Sequence, residues 1–263
     1  MSLPPPADLA IAVLRWLEYA GLLGFIGVIV VRRLAGMQPP IRWALPSMQP
    51  ALAVAFAGGL LVLVADSLRV GHSNPATIAR VAAEGVALGL CIYGRRWVVP
   101  PAIVAVLALP FGGHAVALQP AGGVIFTDAV HVLSAGIWGG GILVLATVRP
   151  PDGWGKGEGR AMLERFGRVA FLAFAITALT GVLRAASVVA DFSGLWTSAY
   201  GVVLMAKSAG VLAMVAISVL GWRRGRRYAR VDGVLVLLVL AATAILAAYP
   251  MPLYPSSVEL VSH

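Results

Sequence analysis

Cysteine and acidic residues are scarce in this chain of 263 residues. The single cysteine, Cys91, excludes an internal disulfide and a thiolate metal site of the CxxC type. Only 12% of the residues are charged, with 11 Asp and Glu against 20 Lys and Arg, whereas a soluble domain has roughly 25%. This shortage of charge excludes an ordinary water-soluble protein.

Motifs that mark many enzymes and pumps are also missing. The segment GWGKGEG (153–159) has glycines and a lysine, but not the GxxxxGK[ST] spacing that cradles phosphate in nucleotide-binding proteins. The serines near His131 have no partners placed for hydrolysis. We therefore expect no enzyme, and any transport by this chain would run down a gradient, use the membrane potential or couple to protons.

Long hydrophobic runs make up most of the chain. Hydrophobic residues account for 60% of it, and its mean hydropathy is +0.90. Apolar windows of roughly 17 to 25 residues, which cross a bilayer as helices, recur throughout. We predict an all-α polytopic transmembrane helical bundle forming a single transmembrane domain over 1–263, with the first helix retained. About eight spans are expected, at about 8–31, 48–66, 76–93, 98–117, 124–148, 166–189, 199–221 and 232–249.

Lys and Arg concentrate in alternate loops of this bundle. The loops after spans one, three, five and seven hold 15 of the 20 basic residues. Because such loops stay in the cytoplasm, we predict that both termini lie outside. We interpret the cluster WRRGRRYAR (222–230) as a topology anchor that also binds membrane lipid headgroups. No nucleic-acid partner is expected, because the basic residues lie in loops rather than on one folded surface.

An acid and a histidine stand out in the apolar segment DAVHVLSAGIWGGG (128–141). In a helix, Asp128 and His131 lie on one face, and Ser134 and Trp138 continue that face. Polar groups inside a membrane segment either satisfy one another or form a ligand site.

All four histidines fall on or near the outer face under the predicted topology. Imidazole nitrogen suits copper, zinc, iron and nickel, and a carboxylate orients it or binds directly. Asp128 with His131, facing His114 across a helix pair, would supply two nitrogens and an oxygen. His72 would add a third nitrogen if its loop folds inward, and His263 is interpreted as incidental. The alternative is that each histidine is an interfacial residue held by ordinary hydrogen bonds.

Other ionisable residues lie within the predicted spans. These intramembrane polar residues are Arg15, Glu18, Glu84, Arg184 and Lys207. Charges at such depth usually face the bundle interior and pair, so we predict that Glu18 or Glu84 pairs with Arg184 or Lys207. The functional alternative is a polar pathway through the bundle for an ion or a proton.

From about residue 111 to 250, the order and spacing of several short motifs resemble the copper-resistance D (CopD) family of bacterial inner-membrane proteins. The motifs are Gly113-His114-Ala115, Asp128-x-x-His131 leading into Trp138-x-Gly140-Gly141, Arg165-Phe166-Gly167-Arg168, Thr180-Gly181-Val182, and Tyr200-Gly201 followed by Lys207.

The resemblance implies a multi-pass protein of the bacterial plasma (inner) membrane that handles copper and moves it toward the cytoplasm. Carried over by position, it makes His114, Asp128 and His131 the metal-site candidates, with Trp138 as packing neighbour and Lys207 as the polar residue of span seven. The expected partners are a copper ion, membrane lipid and a periplasmic copper-binding protein. Two alternatives remain: a haem-binding oxidoreductase with His114 and His131 as axial ligands, and an accessory protein that binds metal without transporting it.

Overall fold

Helices account for nearly all of the architecture. The computed structural model describes residues 5–71, 73–112, 121–188, 194–223 and 229–249, and within these ranges it contains no β-strand. The helices are α1 (Pro6–Ala35), α2 (Gln49–Val70), α3 (Pro75–Ile92), α4 (Val99–Ala108), α5 (Ala121–Ala135), α6 (Gly141–Thr147), α7 (Gly157–Val188), α8 (Gly194–Thr197), α9 (Ala199–Arg223) and α10 (Ala229–Leu246).

Among the residues that the structure describes, six stretches of helix are long and apolar enough to cross a membrane. They are α1, α2, α3, the continuous α5–α6 stretch, α7 and α9. Two further predicted spans, 98–117 and 232–249, correspond to shorter apolar helices over Arg96–Phe111 and Val231–Leu246. The prediction of an all-helical, multi-pass membrane protein is confirmed, while the number of eight spans and the outer location of both termini remain predictions.

The α3 start follows the expected turn chemistry. The side-chain oxygen of Asn74 accepts a hydrogen bond of 2.9 Å from the amide of Ala76, and Pro75 is the first helical residue. Before it, Gly71 ends α2 with a φ of +76°, a conformation that glycine adopts without strain. The predicted breaker Asn74-Pro75 therefore sets the boundary between two antiparallel helices.

Helix α1 is the central element of the bundle, and it contacts α2, α5, α6, α7 and α10. Leu22, Phe25 and Val31 have no exposed surface. Two glycines allow the closest approaches, because a methyl group on Gly21 would overlap the backbone of α2 and one on Gly27 would overlap Gly140. Close contact through small residues is the usual way in which membrane helices associate.

A π-helical turn over Gly136–Gly140 joins α5 to α6. Within it, Trp138 is buried and packs on Phe174 of α7, with ring centroids 4.9 Å apart. The turn widens the helix between the polar face of α5 and the apolar contacts of α6. It thereby allows α5 to present Asp128 and His131 to α7 while Gly140 stays against α1.

The arginine-rich loops after spans one and five meet at one end of the bundle, here called the basic end. Trp43 and Trp154 pack edge to face with centroids 5.7 Å apart. The guanidinium of Arg165 donates hydrogen bonds to the carbonyls of Leu34, Met37 and Pro39 at 2.9, 3.1 and 2.7 Å. A cation at the last turn of α1 also complements the helix dipole, so α7 is fixed to α1 at this end.

Candidate metal site

Asp128, His131 and Ser134 share one face of α5, as their spacing predicts, and this face packs against α7. Nδ1 of His131 is 2.9 Å from the hydroxyl oxygen of Thr180. The hydroxyl of Thr177 donates to Ser134 at 2.8 Å. The polar face of α5 is therefore satisfied largely by hydroxyl groups of the neighbouring helix.

One proton assignment satisfies the groups around His131. The hydroxyl of Thr180 has a single hydrogen, and the carbonyl of Ile176 lies 2.7 Å from its oxygen, the usual partner of a threonine inside a helix. When that hydrogen goes to Ile176, the Thr180 oxygen accepts a hydrogen from Nδ1 of His131. In this tautomer Nε2 carries the ring's lone pair.

The imidazole ring of His131 packs against Gly181, which has no side chain. A methyl group at this position would lie 3.4 Å from Cε1 and 3.9 Å from Nδ1 of the imidazole. The pair Thr180-Gly181 thus supplies a hydrogen-bond partner and a flat surface to the same ring. The sequence analysis quoted this pair only as part of a resemblance, and the structure gives it a physical role.

Asp128 is buried and forms an ion pair with Arg184 of α7. A guanidinium nitrogen of Arg184 donates to Oδ1 of Asp128 at 2.7 Å. The carboxylate side chain is 5% exposed, whereas the arginine side chain is 45% exposed. Lys207 of α9 also interacts electrostatically with Asp128 and His131. We call Asp128, His131, Thr180 and Arg184 the α5–α7 cluster.

The described residues alone do not form a complete metal site. Within the ranges that the structure describes, no three His, Cys, Asp or Glu side chains come close enough to hold a metal ion. The other two predicted ligands, His114 and His72, lie outside the described residues, as does His263. Asp128 and His131 are thus the two candidates whose surroundings are known, and the carboxylate of Asp128 is engaged by an arginine.

The predicted ion pairs inside the bundle are wrong in their partners. Glu18 pairs with Arg80, through contacts of 2.5 Å from Nε to Oε1 and 3.3 Å from the terminal nitrogen to Oε2. Arg184 pairs with Asp128 instead of a glutamate. The reason is the arrangement of the helices. Helices α1 and α3 both pack on α2, which brings their polar side chains together, whereas α7 packs on α5.

Sequence reasoning missed Arg80, although a signal was available. Arg80 and Glu84 lie four residues apart in one apolar span, a spacing that places both on one face of the helix. All three side chains of this group are deeply buried, with exposures of 0% for Glu18, 5% for Arg80 and 0% for Glu84. We call these residues the α1–α3 cluster.

Comparison with known proteins bears on the α7 side of the site. Residues 160–249 match the family described as copper resistance protein D. We call residues 160–249 the CopD segment. The CopD segment contributes Thr180, Arg184 and Lys207, whereas Asp128 and His131 precede it. The CopD resemblance drawn from the sequence motifs is thereby confirmed.

One relative carries a copper-related name. The copper transport protein CutJ of Bacillus subtilis (strain 168) is 29% identical over 163 residues, which cover 57% of this chain and 30% of CutJ. The chain thus spans less than a third of that relative's length. No solved structure matches the chain. Together with the CopD segment and the apolar helices, this relative identifies a copper-related, multi-pass membrane protein.

Proposed function

We propose that this chain binds copper as cargo at the outer side of a bacterial inner membrane and takes part in copper transport or copper resistance without enzymatic activity. The CopD segment and the relative named as a copper transport protein support the cargo. The absence of a nucleotide-binding motif from the sequence means that transport would use a gradient, the membrane potential or protons.

The surroundings of His131 are the observation that carries the proposal. Nδ1 lies 2.9 Å from the Thr180 oxygen, and in the tautomer assigned above it donates to that oxygen while Nε2 keeps its lone pair. Histidines that bind metals usually donate their other ring hydrogen to a protein oxygen, which fixes both tautomer and ring orientation. His131 is therefore held as a metal ligand is held, on the polar face of a largely apolar helix.

In this proposal, Arg184 and copper compete for Asp128. With no copper present, Arg184 neutralises the buried carboxylate at 2.7 Å. Its side chain is 45% exposed, so it has room to withdraw when a cation reaches His131. The Asp128 carboxylate then offsets the charge of the cation, either as a ligand or as a neighbour of the ligands. His114 and His72 are the proposed additional ligands.

The outer location rests on charge distribution along the chain. The α5–α7 cluster lies toward the end of the bundle opposite the basic end, because Asp128 is in the first third of the continuous α5–α6 stretch and Arg184 is near the end of α7. If the basic end is cytoplasmic, copper arrives from outside, and a periplasmic copper-binding protein is the proposed donor.

Metal analysis of the purified protein tests the proposal. We expect bound copper in the wild type, loss of most of it in His131→Ala, and retention in Thr243→Val, a control whose hydroxyl bonds only to the carbonyl of Val239 in its own helix. Equal copper in wild type and His131→Ala would reject the site. An absorption spectrum with a Soret band would instead favour the haem alternative.

Copper accumulation in cells separates a transporter from an accessory protein. A transporter raises cellular copper when it is expressed, and His131→Ala abolishes that increase. If the purified wild type binds copper but its expression leaves cellular copper unchanged, the protein binds the metal without moving it.

A further inference from the structure

Two buried carboxyl groups in the α1–α3 cluster share one basic partner. Arg80 forms a two-point contact with both oxygens of Glu18. Neither carboxyl oxygen of Glu84 has a hydrogen-bond partner within the described residues, and the side chain is 0% exposed. A carboxylate buried in this state is strongly destabilising, so we expect Glu84 to bind a ligand of its own.

The carboxyl groups of Glu18 and Glu84 lie close together against the backbone of α2. A methyl group at Gly59 would contact Oε2 of Glu84 and would lie 3.1 Å from Oε1 of Glu18. Gly58 contributes to the same close approach, because a methyl group there would lie 2.5 Å from the backbone nitrogen of Glu18. The glycines of α2 thus leave a small space that the two carboxyl groups occupy together.

The charges around this space favour a proton over a metal cation. From α1, Glu18, Arg15 and Tyr19 face the cluster, and α3 itself supplies Arg80. On α2 the nearest acid is Asp66, which pairs with Arg15 at 3.7 Å, and α4 has no titratable residue. Two arginines close to the space repel a metal cation, whereas two carboxyl groups at one site readily hold one proton between them.

Further ionisable groups lie between this space and the end of the bundle opposite the basic end. Arg15, about one turn from Glu18 on α1, pairs with Asp66, and both side chains are partly exposed at 26% and 29%. Nearer that end, Arg69 pairs with Asp8. We expect a proton to reach Glu84 from the side of the partly exposed Arg15–Asp66 pair.

We propose that Glu84 is a proton-binding site, at which one proton is held beside the Arg80–Glu18 ion pair and exchanges with water at the end opposite the basic end. The bound proton makes the three-residue cluster neutral, with one positive and one negative charge in contact and Glu84 as the uncharged acid. The site lies outside the CopD segment and does not depend on copper binding. It would provide proton coupling, one of the three energy sources open to a transporter without a nucleotide site.

Infrared spectroscopy of the purified protein tests this site directly. A protonated carboxyl group has a carbonyl band that is separate from carboxylate bands and shifts in heavy water. We expect such a band in the wild type at neutral pH, its loss when the pH is raised far enough, and its absence in Glu84→Gln. The matched control is Glu164→Gln, at an exposed glutamate of α7 that pairs with Arg160, and it should retain the band.

Isotope labelling makes the test independent of any mutant. Glutamate labelled with heavy carbon in its carboxyl group should shift the band, and labelled aspartate should leave it unchanged. Absence of the band from the wild type, its persistence in Glu84→Gln, or its shift with labelled aspartate would each overturn the proposal. A stoichiometric bound cation that is lost in Glu84→Gln, with no protonated band, would overturn it in favour of a cation site.

Discussion

The two polar clusters of this protein differ in how far they are closed. In the α1–α3 cluster, Glu18 and Glu84 have no exposed surface, and the glycines of α2 lie directly against them. In the α5–α7 cluster, Asp128 is also buried, but the side chain of its partner Arg184 is 45% exposed. Burial therefore fixes the ion pair in the first cluster, while the second has an open side through which a larger ligand enters and leaves.

Breaking the closed ion pair should have the largest effect. Arg80→Ala removes the basic partner of Glu18 and leaves its charge uncompensated inside the bundle, and removal of one member of a buried pair costs about 3–5 kcal/mol. We expect a large drop in thermal unfolding temperature in detergent. The control is Glu164→Ala at the exposed Arg160–Glu164 pair, which should cost no more than about 0.5 kcal/mol. Similar shifts in both variants would show that the α1–α3 cluster is not a closed structural unit.

Glycine-to-alanine substitutions test how tightly each of the two clusters is packed. Gly59→Ala places a methyl group against the carboxyl groups of Glu18 and Glu84, and overpacking of a filled interior typically costs about 1–3 kcal/mol. Gly181→Ala places it at ordinary contact distance, 3.4 Å from the ring of His131. We expect Gly59→Ala to lower the unfolding temperature and Gly181→Ala to leave it nearly unchanged. The reverse order would contradict the assigned contacts.

Removing one hydroxyl group should weaken copper binding in the open cluster. Thr180→Val keeps the shape of the side chain but deprives Nδ1 of His131 of its partner. Loss of such a partner typically lowers metal affinity about 10–100-fold. Copper titration should show this loss for Thr180→Val, with wild-type affinity for Thr243→Val, whose hydroxyl contacts only its own helix. Unchanged affinity in Thr180→Val would mean that the ring is oriented by other groups.

The sequence was sufficient for the fold class and for the polar face of α5, because both depend on local periodicity. Apolar windows predicted the helices, and the three-residue spacing predicted that Asp128 and His131 point the same way. The partners across the interface could not be predicted, since hydropathy carries no information on which helices touch. The structure instead pairs Glu18 with Arg80 of α3, and Asp128 with Arg184 of α7.

Helix α5 shows a second limit of sequence reasoning. The apolar window predicts one continuous span over 124–148, yet Gly136–Gly140 forms a π-helical turn. This turn lies at a tertiary contact, because a methyl group at Gly140 would overlap the backbone of Leu23 in α1. Such a close approach depends on two helices that are far apart in the chain, so a single segment does not reveal it.

The smallest expected effect concerns Arg184 itself, and it tests whether the open cluster works by exchange of partners. Arg184→Gln removes a positive charge beside His131 and frees the Asp128 carboxylate. Copper affinity should therefore rise several-fold, while the copper-free protein becomes less stable because a buried carboxylate has lost its counter-charge. Arg184→Lys, which keeps the charge, is the control and should not raise the affinity.

Unfolding temperatures with and without copper distinguish exchange from simple stabilisation by the ion pair. If copper takes the place of Arg184, adding copper restores more stability to Arg184→Gln than to the wild type, because a ligand stabilises the folded state according to its affinity for it. If Arg184 only holds α5 and α7 together, both forms gain equally from copper, and the variant stays less stable by the same amount. The partner exchange requires the first result, because only then do the arginine and the metal ion act on the same carboxylate.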